Sequence, residues 1–238
     1  MSVERRLLLP EKDQVELAFG LFDRGLFGIK EDPSEFIKLK SGRLSPHYLD
    51  IRPGISSVGA RGLIVGSMIK LAERAAVDNR ACDYVHEAYA HIAGTPEAMT
   101  TYAAIIAERL GMSALQPRVD TKKATGNKTP ILGSYAPGDM VAEFDDVVTD
   151  GASKIDTIHQ LGEAGLTVAD YFVVLDREEG GAPQVAAETG VEITPALGVA
   201  TMVKILDAEA AISQTQFDNV AAYIAEYGDP HAQATLAA

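Results

Sequence analysis

The segment VAEFDDVVTDGAS, Val141 to Ser153, constrains the fold of this chain more than any other feature. An apolar stretch leads to the acidic pair Asp145 and Asp146, and glycine and hydroxyl residues follow where the next helix begins. In an open α/β sheet, ligands bind where strands end in this way. Amides at a helix N-terminus can bind a phosphate, and adjacent carboxylates can bind sugar hydroxyls or a hydrated magnesium ion. An isolated Asp-Asp pair is usually a solvated strand end, but the ordered combination predicts a site for a phosphorylated sugar.

Strands and helices alternate from this segment onward. DMVAEF is followed by the helical stretch ASKIDTIHQLGEAG, the strand DYFVVLD, the helix PQVAAETG and the strand VEITPAL. This spacing predicts right-handed βαβ units in a parallel sheet. Elsewhere the patterns predict helices over 12–24, 59–76 and 97–110, a hairpin over 36–54, a buried strand over 89–94, a long loop over 118–133 and two helices over 199–227.

Charge and cysteine content narrow the class of protein. The 238 residues include 21 Lys and Arg against 34 Asp and Glu, so the net charge is −13. The negative electrostatic field of such a charge repels nucleic acid and anionic membranes, and anionic substrates would need a locally basic site. Cys82 is the only cysteine, which excludes disulfides and cysteine metal clusters and suits a reducing cytoplasm. The longest apolar stretches are too short to span a membrane, and the three leucines near the N-terminus are too few for the apolar h-region of a secretory signal.

The opening segment resembles the donor-binding signature of type I phosphoribosyltransferases, which bind 5-phosphoribosyl 1-diphosphate. In that family the acidic pair contacts the ribose hydroxyls and the following loop contacts the 5′-phosphate. The resemblance therefore implies a donor site made of Asp145, Asp146, Val147, Val148, Thr149, Asp150, Gly151, Ala152 and Ser153.

Two further segments resemble orotate phosphoribosyltransferases within this family. FIKLKSGRLSPHYLDIR is similar to the N-terminal motif whose lysine, here Lys40, contacts orotate and whose aromatic residue, here Tyr48, lines the base. VVLDREEGG resembles the motif whose arginine, here Arg177, pairs with the orotate carboxylate, and Thr149 is assigned to the same subsite. A planar guanidinium and a lysine are suited to an anionic base.

The stretch RVDTKKATG resembles the catalytic loop of the family. Arg118 matches its arginine and Lys122 its second lysine. In the family this loop closes over the diphosphate, partly in the active site of the neighbouring subunit, so the resemblance implies a homodimer with shared active sites. A basic lid would stabilise the departing diphosphate and exclude water.

The leading hypothesis is an orotate phosphoribosyltransferase that uses Mg²⁺ and has no direct protein ligand for the metal. The expected fold is a type I phosphoribosyltransferase-like twisted parallel sheet flanked by helices, with a small N-terminal hood. We expect one domain over 1–238, with the hood over about 1–58, the core over about 59–200 and C-terminal helices over about 201–228.

Several positions depart from the family pattern. Val119 and Ala124 replace a lysine and a His or Tyr of the catalytic loop, Asp150 adds a carboxylate to the phosphate loop, and Met99 and Glu97 alter the segment that resembles the diphosphate loop. These departures motivate an alternative, a non-catalytic or weakly active relative that binds phosphoribosyl ligands. A third reading, the same chemistry on another base, is disfavoured by the two cations assigned to orotate.

Overall fold

The computed structural model describes residues 9, 11–39, 41–118 and 130–237. Within these ranges the helices are α1 Glu11–Phe22, α2 Val58–Arg80, α3 Val85–Ala88, α4 Thr100–Leu110, α5 Ala152–Glu163, α6 Gly181–Thr189, α7 Val199–Ala208, α8 Gln214–Tyr227 and α9 Pro230–Ala237. The strands are β1 Phe27–Ile29, β2 Ile37–Lys38, β3 Leu44–Ser45, β4 His47–Leu49, β5 His91–Gly94, β6 Ser113–Pro117, β7 Ile131–Leu132, β8 Met140–Val148, β9 Thr167–Asp176 and β10 Ile193–Gly198. Lys40, Val119, Lys122 and Ala124 lie outside the described residues.

A six-stranded sheet in the order β10-β9-β8-β5-β6-β7 forms the centre of the fold. Its strands pair in parallel except β7, which pairs antiparallel with β6. The parallel β8–β9–β10 run with intervening α5 and α6 confirms the predicted fold class and its βαβ units. Because every parallel strand here runs in the same direction, the carboxyl ends of β5, β8 and β9 meet at one edge of the sheet.

Helices cover both faces of the sheet, which explains why its central strands read as nearly continuous apolar runs. On one face α5 packs Ile155, Ile158 and Leu161 against the sheet, as their spacing predicted. On the other face α2 contributes to a larger core that includes Phe144 and Phe172. Alternate residues of β8 therefore point into two different apolar layers.

The hood contains two separate strand pairs, whereas the sequence predicted one hairpin over 36–54. β2 and β3 pair as the expected hairpin, but β4 pairs with β1 instead of extending that hairpin. The helix predicted over 59–76 runs over Val58–Arg80 and ends where Ala81 adopts a left-handed conformation. The tail holds a third helix, Pro230–Ala237, whose start is capped by the Asp229 carboxylate accepting from the Ala232 amide. Among the helices of the described ranges, none is long and apolar enough to cross a membrane.

Candidate active site

The loop between β8 and α5 contacts the first turn of α6 closely. Gly151 has φ +82, and a Cβ there would lie 2.8 Å from the carbonyl oxygen of Gly181. A Cβ on Gly181 would overlap the carbonyl oxygen of Thr149. The amide of Arg177 also donates to the carbonyl of Val148 at 3.1 Å. The two predicted motifs are therefore neighbours, and glycine is required at both contact points.

The start of α5 offers the amides and hydroxyls of a phosphate site. Ala152 and Ser153 are exposed there, and Thr149 is half-buried. The exposed Asp150 carboxylate accepts a hydrogen bond from the Ala152 amide at 3.2 Å. Asp150 thus satisfies one of the helix amides that a phosphate could use.

The two carboxylates of the acidic pair have different surroundings. Asp145 is buried, and its Oδ2 lies 2.5 Å from the ammonium of Lys154, which is buried as well. The Tyr171 hydroxyl donates to the same oxygen at 3.2 Å. Asp146 is half-buried, and burial together with the charge of Asp145 raises its pKa to about 7. Asp145 is thus held within the protein, while Asp146 is the partly accessible carboxylate of the pair.

We expect the side-chain carboxyl of Asp146 to titrate near pH 7 in ¹³C nuclear magnetic resonance of the ligand-free protein. Between its ordinary pKa of 3.8 and about 7, the folded chain keeps a proton that the unfolded chain has released. The contribution of Asp146 to the free energy of unfolding therefore falls as pH rises through that window. Asp146→Asn should remove this component. The exposed Asp32, whose pKa is lowered by hydrogen bonds from Ser34, serves as the reference, and titration of Asp146 below pH 4 would contradict the expectation.

Arg177 lies beneath the hood and is buried. Its Nε donates to Glu179 at 2.7 Å, and its Nη2 donates to the Ser45 hydroxyl at 2.9 Å and to the Tyr223 hydroxyl at 3.3 Å. Its Nη1 donates to the carbonyl of His47 at 3.4 Å. These contacts use four of its five N–H donors, so its predicted contact with orotate stays a prediction.

Tyr48 is exposed on β4, and its hydroxyl accepts from Arg52 at 3.3 Å. Arg52 also forms an ion pair with Asp50 at 2.7 Å. The hydrogen bond and charge of Asp50 raise the pKa of this guanidinium, and the charge of Asp146 adds a smaller contribution. Arg52 is therefore a cation of the hood whose charge interacts with Asp146, and no motif had pointed to it. The only signal in the sequence was its position at the end of the motif that contains Tyr48.

The ends of the predicted catalytic loop are held together at α5. Gln160 donates to the carbonyls of Arg118 and Pro130 at 3.0 and 3.1 Å. Arg118 also donates its amide to Pro130 at 3.0 Å. The described part of the loop thus starts and ends beside the helix that begins at the phosphate loop, and Lys122 lies outside the described residues.

The remaining departures from the family pattern lie in different environments. Met99 is fully buried in the larger core, where its side chain packs with apolar neighbours. Glu97 is exposed. Lys154 pairs with Asp145 and not with Asp150, so the structure brings the lysine to the buried carboxylate of the acidic pair. Across the residues that the structure describes, no three His, Cys, Asp or Glu side chains form a group that could hold a metal ion.

Comparisons with known proteins find similarity to orotate phosphoribosyltransferases and to uridine 5′-monophosphate synthases. The chain is 33% identical over 169 residues to orotate phosphoribosyltransferase from Caenorhabditis elegans, covering 71% of this chain and 68% of that protein. It is 32% identical over 183 residues to uridine 5′-monophosphate synthase from the same organism, covering 77% of this chain and 35% of that protein. The solved UMP synthase of Leishmania donovani superposes with a TM-score of 0.75 at 26% identity, covering 90% of this chain and 42% of the other.

The chain thus spans about a third of the length of the nematode synthase that it matches. No protein-family model matches the chain.

Proposed function

Because this chain belongs to the orotate phosphoribosyltransferase family, we propose that it transfers phosphoribose from 5-phosphoribosyl 1-diphosphate to N1 of orotate. The products are orotidine 5′-monophosphate and diphosphate, a step of pyrimidine biosynthesis. The observation that carries the proposal is the meeting of the acidic pair, the glycine-bounded phosphate loop and the Arg177 motif at one edge of the sheet.

Each part of the proposed site has its own task. The Asp146 carboxylate accepts hydrogen bonds from the ribose hydroxyls, with Asp145 behind it. The amides and hydroxyls of residues 149–153 bind the 5′-phosphate at the start of α5. Arg118 and Lys122 stabilise the departing diphosphate, and Lys40, Tyr48, Thr149 and Arg177 bind orotate.

The chemistry that these residues supply is mainly electrostatic. The bond between the sugar and the diphosphate breaks as positive charge develops on the ribose ring, and N1 of orotate forms the new bond. The negative charge of orotate lies on its carboxylate, and the hydrogen on N1 leaves as the new bond forms, passing to water or to the departing diphosphate, so no protein general base is required. Cations at the leaving group and exclusion of water lower the barrier.

Magnesium fits this site as an ion brought largely by the substrate. Mg²⁺ is commonly bound by one or two carboxylates together with substrate phosphates and water. Asp146 offers a partly accessible carboxylate to the water shell of such an ion, whereas Asp145 is already paired with Lys154. When bound, the ion neutralises charge on the diphosphate. We further propose a homodimer with shared active sites, and the cytoplasmic location stays a prediction from the sequence.

The direct test is turnover by the full chain. With Mg²⁺, donor and orotate we expect orotate to be consumed and orotidine 5′-monophosphate to form, and Asp146→Asn to lower kcat/KM for the donor. Asp218→Asn, at an exposed position on α8, is the matched control and should leave turnover unchanged. A folded protein that forms no nucleotide would refute the proposal, and activity with uracil or hypoxanthine but not orotate would reassign the base.

A further inference from the structure

A row of four hydrogen-bonded polar side chains crosses the apolar layer beneath the proposed ribose site. We call it the hydrogen-bonded row, and it consists of Glu143, Thr95, Tyr171 and Asp145. Glu143 lies in the middle of β8 and is completely buried. In the sheet register it stands between Ala93 of β5 and Tyr171 of β9. Because alternate residues of a strand share a face, Glu143 and Asp145 project on the same side of the sheet. Burying a carboxyl group costs free energy unless other polar groups satisfy it, so packing alone does not account for a glutamate at this position.

Three short contacts connect Glu143 to Asp145. The Thr95 hydroxyl oxygen lies 2.9 Å from Glu143 Oε1 and 2.7 Å from the Tyr171 hydroxyl oxygen. The Tyr171 hydroxyl in turn donates to Asp145 Oδ2 at 3.2 Å. All four side chains are buried.

The number of hydrogens available to the hydrogen-bonded row decides which of its two carboxyl groups is protonated. Three oxygen–oxygen hydrogen bonds need three hydrogens, and the Thr95 and Tyr171 hydroxyls supply one each. Asp145 does not supply the third, because its carboxylate is paired with the Lys154 ammonium. The third hydrogen therefore belongs to the Glu143 carboxyl. With that hydrogen in place, Glu143 donates to Thr95, Thr95 to Tyr171 and Tyr171 to Asp145.

The electrostatic surroundings agree with a neutral acid. Burial and the charge of Asp145 raise the pKa of Glu143 well above its ordinary value, while Thr95 and the Lys154 ammonium oppose the shift. Tyr171 is the titratable group that faces it from β9, and burial also raises its pKa. Glu143 Oε2 has no hydrogen-bond partner among the described residues, which would be costly for an ionised carboxylate. An ionised Glu143 would also draw the Thr95 hydrogen to itself and leave one of the other two contacts without one.

We propose that Tyr171 and Glu143 are positioning residues for the transfer reaction: neutral Glu143 directs the hydrogen bonds of Thr95 and Tyr171 toward Asp145, which lies behind the ribose-binding Asp146. The Asp145 Oδ1 accepts from the Asp146 amide at 2.8 Å, so a fixed Asp145 orients the acidic pair for the donor's ribose. This inference rests on the proposed function for its ribose ligand. It adds that the ribose site depends on buried groups that do not touch the substrate. Thr95 also lies within IAGTPEAMT, the segment that resembles the diphosphate loop, so the hydrogen-bonded row links that segment to the acidic pair.

Donor binding tests the hydrogen bond from Tyr171 to Asp145, at the end of the hydrogen-bonded row that faces the proposed site. Tyr171→Phe removes the hydrogen bond to Asp145 and should weaken donor binding in calorimetry about ten- to hundredfold, the range expected for a bond to a charged group. It should raise the KM for the donor and leave the KM for orotate unchanged. Tyr89→Phe is the matched control, because its buried hydroxyl donates to Asp170 at 2.9 Å on the part of β9 away from the site. The control should leave both KM values unchanged.

The Glu143→Gln variant tests the other end of the hydrogen-bonded row, the contact between Glu143 and Thr95. The amide can donate to Thr95 in place of the acid, so donor binding should stay within about threefold of the wild type, whereas Thr95→Val should weaken it as Tyr171→Phe does. Because Asp146 is also partly protonated near neutral pH, infrared spectra are compared in the ligand-free Asp146→Asn background. They should contain the band of a buried neutral carboxylic acid, and adding Glu143→Gln should remove that band.

Two results would overturn the inference: donor binding by a folded Tyr171→Phe variant that equals the wild type, or an ionised Glu143 at neutral pH. The infrared measurement needs neither donor nor turnover. It therefore tests the inference even where the wild type makes no nucleotide, a result that would refute the proposed function alone.

Discussion

Lys154→Met is expected to lower the free energy of unfolding by about 3–5 kcal/mol, the usual cost of removing one partner of a buried ion pair. The side chains of Lys154 and Asp145 are only 7% and 4% exposed, and their charged atoms are 2.5 Å apart. Methionine keeps most of the apolar stem but leaves the Asp145 carboxylate buried without its counterion. Urea denaturation followed by circular dichroism measures the loss, and donor binding should weaken in parallel.

Lys30→Met provides the control for removing a lysine. Lys30 pairs with Glu35 at 3.5 Å, and the two side chains are 43% and 61% exposed. Because water screens such a pair, this change should cost less than about 1 kcal/mol. Adding Asp145→Asn to Lys154→Met should recover part of the stability, since the uncompensated charge is then gone. Equal stability of Lys154→Met and Lys30→Met would show that the buried pair is not formed in solution.

Gly181→Ala is expected to weaken donor binding and kcat/KM about 100-fold, because displacement of a binding group by about 1 Å can have an effect of this size. A methyl group on Gly181 would overlap the carbonyl oxygen of Thr149, and both partners are backbone. The phosphate loop or the start of α6 must therefore shift. Steady-state kinetics with varied donor, together with calorimetry using inorganic phosphate, separate loss of the phosphate site from loss of chemistry.

Gly66→Ala is the matched control for this substitution. Gly66 lies inside α2, and a methyl group there would meet nothing within 4 Å. Alanine in a helix interior is favoured over glycine by about 0.5–1 kcal/mol, so the control should be at least as stable as the wild type and fully active. If Gly181→Ala binds the donor as well as Gly66→Ala does, the close packing of the phosphate loop has no role in binding.

The sequence predicted most of the fold because the informative patterns are local. The order from the apolar strand through Asp145 and Asp146 to the start of α5 specifies a strand, a loop and a helix within about a dozen residues. The spacing of apolar residues on α5 also indicated which face packs against the sheet. The length of α2 was missed because no glycine or proline marks its end at Arg80. The presence of α9 was missed although Asp229 and Pro230 form a recognisable helix start.

The candidate site was predicted in part for the same reason. The motifs that contain Thr149 and Arg177 could be recognised one at a time, and the structure brings them together through the bond from the Arg177 amide to Val148. What each side chain contacts could not be read from the motifs. Lys154, for example, lies in the first turn of an ordinary amphipathic helix, and nothing in its neighbours indicates that it pairs with Asp145.

By itself, the sequence determined the fold class, the position of the phosphate loop and the family, because these depend on residues that are close along the chain. Only the tertiary structure decided the partners of the buried polar groups. Arg177 reaches Ser45 across 132 positions, and Tyr171 reaches Asp145 across 26. Burial strengthens such contacts and makes unpaired polar atoms costly, but the sheet order and helix packing choose which groups meet. The protonation state proposed for Glu143 depends on these tertiary contacts, and no local sequence pattern encodes it.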